Sequence, residues 1–106
     1  MRPIQIYLGV PQPNKLPVYE VPAGQQTTIK QMIFSNTDSV DSKITVTINT
    51  IDIMKDYVVK TGETKIIDLA IVLNQNDRLS LQQEKANAIN VMISGTSEQI
   101  QAIYQQ

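Results

Sequence analysis

Lys43-Ile44-Thr45-Val46-Thr47-Ile48-Asn49 is the stretch on which the fold turns. Ile44, Val46 and Ile48 alternate with Lys43, Thr45, Thr47 and Asn49, so a strand collects every apolar side chain on one face. A helix would scatter the same residues around its axis, and its β-branched side chains would lose rotamer freedom. Ahead of it lies the polar loop Ser35-Asn36-Thr37-Asp38-Ser39. Behind it, residues 51–60 continue as one or two strands with a turn signal at Lys55-Asp56.

The same pattern repeats in both directions. Residues 3–8 form a short strand, and the stretch from Val10 to Pro22 carries four of the five prolines, so it reads as an extended arm with a short strand at residues 18–21. Pro22-Ala23-Gly24-Gln25 is a turn. Thr27 to Ser35 is a strand with Ile29, Gln31 and Ile33 on one face and Lys30, Met32 and Phe34 on the other, which suits a central position or an interface on its outer side. Thr61-Gly62-Glu63 and Asn74-Gln75-Asn76-Asp77 are further turns, the latter built of residues that accept left-handed backbone. Between and after them come strands at residues 64–69, 78–82 and 88–94.

Seven to nine short strands separated by turns predict an all-β, antiparallel β-sandwich, either immunoglobulin-like or jelly-roll-like. A parallel sheet would need crossover helices, for which there is no room. The expected organisation is an N-terminal arm or edge strand over residues 1–15, a sandwich over 16–96 and a tail over 97–106. In the tail, Ile100, Ile103 and Tyr104 have helical spacing with Ser97 as a cap, so a short C-terminal helix is preferred to a further strand.

Composition agrees with strands. Ile, Val and Thr number 15, 9 and 9 of 106 residues, against 5 Ala. Lys plus Arg is 9 and Asp plus Glu is 10, a formal charge of −1 that provides no footprint for nucleic acid or an anionic membrane. No apolar run resembles a signal peptide or approaches the roughly 20 residues of a membrane helix.

The chain has no Cys and no His, which removes thiolate nucleophiles, imidazole bases, disulfides and most zinc sites. Asp52 and Asp56 are near enough in sequence to be imagined as an acid–base pair, but a solvated turn explains them better. The loops at residues 36–41 and 74–77 offer oxygen ligands without the acid density that organises calcium, so backbone turn bonding is their expected role. No catalytic residue, metal or cofactor is expected. The apolar residues that one small sandwich leaves uncovered are the interface candidates: Tyr7, Leu8 and Val10 in the arm, Met32 and Phe34 on the second face of their strand, and Ile100, Ile103 and Tyr104 in the tail.

Three blocks resemble the short β-sandwich structural proteins of tailed bacteriophages and prophages. They are residues 16–36 around Val21-Pro22-Ala23-Gly24, residues 61–79 from Thr61-Gly62-Glu63 through Val72-Leu73-Asn74-Gln75-Asn76-Asp77, and the closing Ala88-Ile89-Asn90-Val91-Met92-Ile93-Ser94-Gly95. Asn76 stands where those proteins usually have glycine. The resemblance implies a non-enzymatic virion component of head, neck, tail or fibre. Such a protein would be made in the host cytoplasm and would form homo-oligomers that contact other virion proteins. An alternative is a carbohydrate- or receptor-binding module of a fibre or adhesin, for which Tyr7, Tyr19, Tyr57 and Tyr104 are the candidates to stack on a sugar ring, there being no Trp.

Overall fold

The computed structural model describes residues 1–100 and contains eight strands. They are β1 (Arg2–Gly9), β2 (Leu16–Glu20), β3 (Gln25–Asn36), β4 (Ser42–Ile48), β5 (Ile51–Val59), β6 (Thr64–Leu73), β7 (Arg78–Gln83) and β8 (Ile89–Gln99). They form two four-stranded antiparallel sheets with the orders β1-β8-β3-β6 (sheet A) and β2-β7-β4-β5 (sheet B). First pairs in order with last, second with seventh, third with sixth and fourth with fifth. This is the order of a long hairpin rolled up on itself, a jelly roll. Of the two sandwich architectures open from sequence, the strand order selects this one.

Turn chemistry sets the corners. Gly24, Gly62 and Asn76 have φ of 79°, 73° and 71°. Each is the third residue of a turn closed by a backbone bond, from Gln25 N to Pro22 O, Glu63 N to Lys60 O and Asp77 N to Asn74 O. A left-handed third residue is the requirement of a type II turn, and Asn meets it at residue 76 where glycine would serve. Asn49 (φ 58°) turns the β4–β5 hairpin, whose last paired residues are Ile48 and Ile51. The signal at Lys55-Asp56 is not a turn. It is a bulge inside a continuous β5, with Asp56 at φ 53° and its amide donating to Thr45 Oγ1 at 3.1 Å.

The core lies between the sheets. Ile44, Val46, Leu79, Leu81, Ile89 and Ile93 are all essentially inaccessible, as alternation predicts. β3 departs from that alternation. Thr27 and Ile29 are buried, then Lys30 bulges outward, and the buried set becomes Met32, Phe34 and Asn36. The strand therefore changes phase partway, which is why both of its faces read as apolar. Met32 and Phe34, expected at an outer interface, are completely buried core, with the Phe34 ring 6.0 Å from that of Tyr57. The bulge faces Gly95, where a Cβ would lie 1.9 Å from Thr28 O, so only glycine lets the two strands approach.

The two ends also differ from expectation. The arm's first residues pair as β1 along β8, so the edge-strand alternative describes them. Ser97 does not cap a helix: β8 runs through it to Gln99, with Ser97 Oγ bonded to Gln25 Oε1 at 2.8 Å. The rest of the expected helix, Ile103 and Tyr104 included, lies outside the described residues.

Candidate functional site

The outward side of sheet A carries an apolar row that crosses all four strands. Leu8 of β1 is registered with Met92 of β8, Met92 with Ile33 of β3, and Ile33 with Ile66 of β6. With strands about 4.8 Å apart the row is roughly 14 Å long. Leu8 and Ile66, at its ends, are each 62% exposed. The row beside it is polar, Gln5, Ser94, Gln31 and Asp68, and there Gln31 Nε2 donates to Asp68 Oδ1 at 3.0 Å. Beyond that, Val72 of β6 is again exposed, next to Thr28.

The outward side of sheet B is built differently. Thr45, Thr47, Ser80 and Gln82 line it, and a charged groove of about 420 Å³ runs between β4, β5 and the proline arm. Lys15 Nζ and Thr47 Oγ1 both donate to Asp52 Oδ1, at 2.9 and 2.7 Å. The Thr47 hydroxyl first, and then Lys15, hold the Asp52 carboxyl below its ordinary range. Asp52 is therefore an ionised acceptor and has no proton to give as a general acid at neutral pH.

Two buried amides hold the loops to this frame. Gln83 Nε2 donates to Pro11 O at 2.6 Å and to Ile89 O at 3.2 Å, while its Oε1 accepts from Ile89 N at 2.9 Å. The proline arm is thus tied to the joint between the two sheets. Asn36 Nδ2 donates to Val40 O and Val59 O, and Asn36 Oδ1 accepts from Asp38 N. The sequence places Asn36 only in a polar loop with oxygen donors and gives Gln83 no role. A polar residue at an inward strand position is the only signal either left.

The loops considered for metal are closed by their own bonds. Asp77 Oδ2 accepts from Asn74 N at 2.8 Å, and Asp38 pairs with Lys85 at 2.6 Å. The bond from Lys85 is the main cause holding the Asp38 carboxyl below its ordinary range. Among the described residues no three of His, Cys, Asp and Glu come together as a metal-holding group.

Of the interface candidates, the structure brings Leu8 into the outer row and leaves Ile100 46% exposed. Tyr7 is half-buried against the core, where burial raises its phenol pKa. Val10 follows β1 and is half-buried, and Met32 and Phe34 are interior. The sequence reading missed Ile66, Val72 and Met92, all exposed on sheet A. Even-numbered apolar residues in β6 and β8 were the available sign.

No family model matches the chain, and no curated protein matches it. Among solved structures it is similar to the core of Drosophila NLP, a structure described for pentamer formation and histone binding. The TM-score is 0.58 at 17% identity, over 91% of this chain and 100% of that one. At that identity the likeness concerns the fold.

This finding overturns the expected role as a phage virion subunit, and with it the expectation of other virion proteins as partners. The match is to a histone-binding core. There is a physical reason the three blocks misled: they consist of type II turns at Gly24, Gly62 and Asn76 plus a strand closing on Gly95. Those are requirements of the rolled sandwich and carry no partner. Of the tyrosines named for the alternative sugar-binding role, Tyr7, Tyr19 and Tyr57 are half-buried against the core, and Tyr104 lies outside the described residues.

Proposed function

We propose that this chain is a non-enzymatic jelly-roll subunit that acts by binding protein, and that copies of itself are its first partners. The observation that carries this reading is the apolar row Leu8–Met92–Ile33–Ile66, which crosses all four strands on the outer face of sheet A. An apolar stripe of that kind on a small domain marks an interaction surface. The pentamer formation described for the structurally similar Drosophila core supports self-assembly. The chemistry agrees, since neither His nor Cys is present and Asp52 is held as a carboxylate.

A second reading, binding of a strongly basic protein, is favoured by the histone binding described for the same core. The charge of this chain argues for ranking it second. Nine cations and ten acids are interspersed along the sequence, and attraction of a basic partner grows with an acidic excess. Light scattering after size exclusion tests the first reading: a mass that is a whole multiple of 11.9 kDa is expected, and a monomer at every concentration would refute it. Adding purified core histones to the same run tests the second. Co-elution that weakens with salt would raise it above the first, and separate peaks would remove it.

A further inference from the structure

The groove on sheet B holds charges that its own fold leaves unmatched. Lys15, Lys43 and Lys55 line it together with Asp52, Asp56 and Glu84. Lys15 and Asp52 neutralise each other at 2.9 Å. Among the described residues, Lys43, Lys55, Asp56 and Glu84 make no ion pair. The walls that carry them are tied in place. Glu84 N donates to Lys43 O at 2.9 Å, and Gln82 Nε2 holds the proline arm at Pro13 O, also at 2.9 Å. Successive residues of a regular strand face opposite ways, but the β5 bulge sets both Lys55 and Asp56 opposite Thr45 and brings both to the groove. Asp56 takes that place through left-handed backbone, at φ 53°. Sparsely populated backbone of this kind gathers at ligand sites. At the bottom of the groove, on the central strand, Thr45 is 7% exposed. Its Oγ1 accepts from Asp56 N at 3.1 Å, and among the described residues its hydroxyl donates to no protein atom. The proton of this nearly buried O–H is therefore available to a bound acceptor.

We propose that this groove binds a small zwitterion, a molecule of the amino-acid or short-peptide class that carries both a carboxylate and an ammonium. The two unpaired lysines and two unpaired carboxylates sum to zero, so the groove exerts no net pull on a simple anion or a simple cation. A ligand with both charges gains an opposite partner for each of them. Lys43 and Lys55, with the Thr45 hydroxyl, offer donors to its carboxylate, and Asp56 and Glu84 accept from its ammonium. Pro13 is the one apolar residue in the lining, which disfavours an oily ligand. The volume of about 420 Å³ falls within the roughly 300–1,000 Å³ of small-molecule sites. The site lies on sheet B, apart from the apolar row of sheet A, and stands independently of self-assembly.

Backbone amide shifts followed during titration test the site, with glycylglycine and triglycine as probes. Saturable shifts at Lys43, Thr45, Asp56 and Glu84 are expected. N-acetylation or C-amidation of the peptide removes one of its charges and weakens binding by about tenfold or more. K55Q and D56N, which remove one protein charge of each sign, weaken it to a similar degree. Asn tolerates left-handed backbone as Asp does, so D56N keeps the bulge. K65Q, on β6 of the other sheet, leaves binding unchanged. An unchanged thermal unfolding curve for each variant confirms its fold. Sodium phosphate and methylammonium chloride, offered singly, shift the same amides only weakly. No saturable shift with either peptide, equal binding of a doubly blocked peptide, or tighter binding of phosphate would overturn the proposal, and none of these results bears on the oligomer.

Discussion

The outer faces of the two sheets come from the same alternation, and yet they are finished in opposite ways. On the central strands of sheet B the outward positions are Thr45, Thr47, Ser80 and Gln82, with Lys15 and Asp52 paired beside them. The apolar outward residue exposed on β5, beside Lys43, is Val58. On sheet A they include Leu8, Met92, Ile33 and Ile66 in one unbroken row. Inward residues are equally apolar in both sheets, so the difference has no bearing on how the core is closed. It separates a face whose polar residues are buried under bonded neighbours from a face that leaves apolar side chains exposed.

The comparison depends on the phase change in β3, and the largest predicted effect tests that change. With Phe34 inside, Phe34→Ala opens a cavity and costs about 3–5 kcal/mol in denaturant unfolding. Ile33→Ala, on the outer face, costs far less in the isolated subunit. Equal costs would mean that the strand keeps one phase and that Phe34 belongs to the sheet A surface.

The next effect concerns what fixes the arm beside sheet B. Gln83→Ala leaves Pro11 O, Ile89 O and Ile89 N without their buried partner and costs about 1–3 kcal/mol. Faster amide exchange at Gln83, whose own N–H bonds Gln12 O, accompanies the loss. Unchanged stability would show the arm to be held by other contacts.

The smallest effect is one of pH. Asp52, Asp38 and Glu63 are each held below their ordinary range: Asp52 by Thr47 and then Lys15, Asp38 by Lys85, and Glu63 by the Lys60 amide. A depressed carboxyl pKa contributes stability that is complete above the unfolded value, about 4 for Asp and Glu, and is lost as pH falls through the folded one. Thermal unfolding midpoints therefore decline below about pH 4, and Asp52→Asn removes part of that decline. Association through the apolar face of sheet A keeps its strength over the mildly acidic range in which these carboxyls stay ionised. A midpoint independent of pH down to acid unfolding would contradict the assignment.

Much of this architecture is legible in the sequence. Residues 43–49 announce β4 because a half-buried strand has no other way to distribute Ile44, Val46 and Ile48. Gly24, Gly62 and Asn76 announce three corners because few residues accept positive φ. The phase change at Lys30 is not legible, since it depends on how many residues β6, β3 and β8 each spend crossing the same stretch of sheet. Chain-local alternation cannot report a property of three strands. For the same reason Met32 and Phe34 read as surface, and Ile66 and Val72 went unnoticed. Gln83 and Asn36 gave no periodic signal because their work is done by one amide group each. The phage-like blocks were read correctly as turns and strands and wrongly as marks of a partner, because corner chemistry belongs to the fold.

Hydrogen exchange measured at low and at high protein concentration puts the contrast between the two faces to the most direct test. Slower exchange confined to the strands of sheet A on concentration, with β2 and β5 unchanged, is the predicted result. Protection gained along β2 or β5 instead, or no concentration dependence anywhere, would contradict the assignment of sheet A as the assembling side.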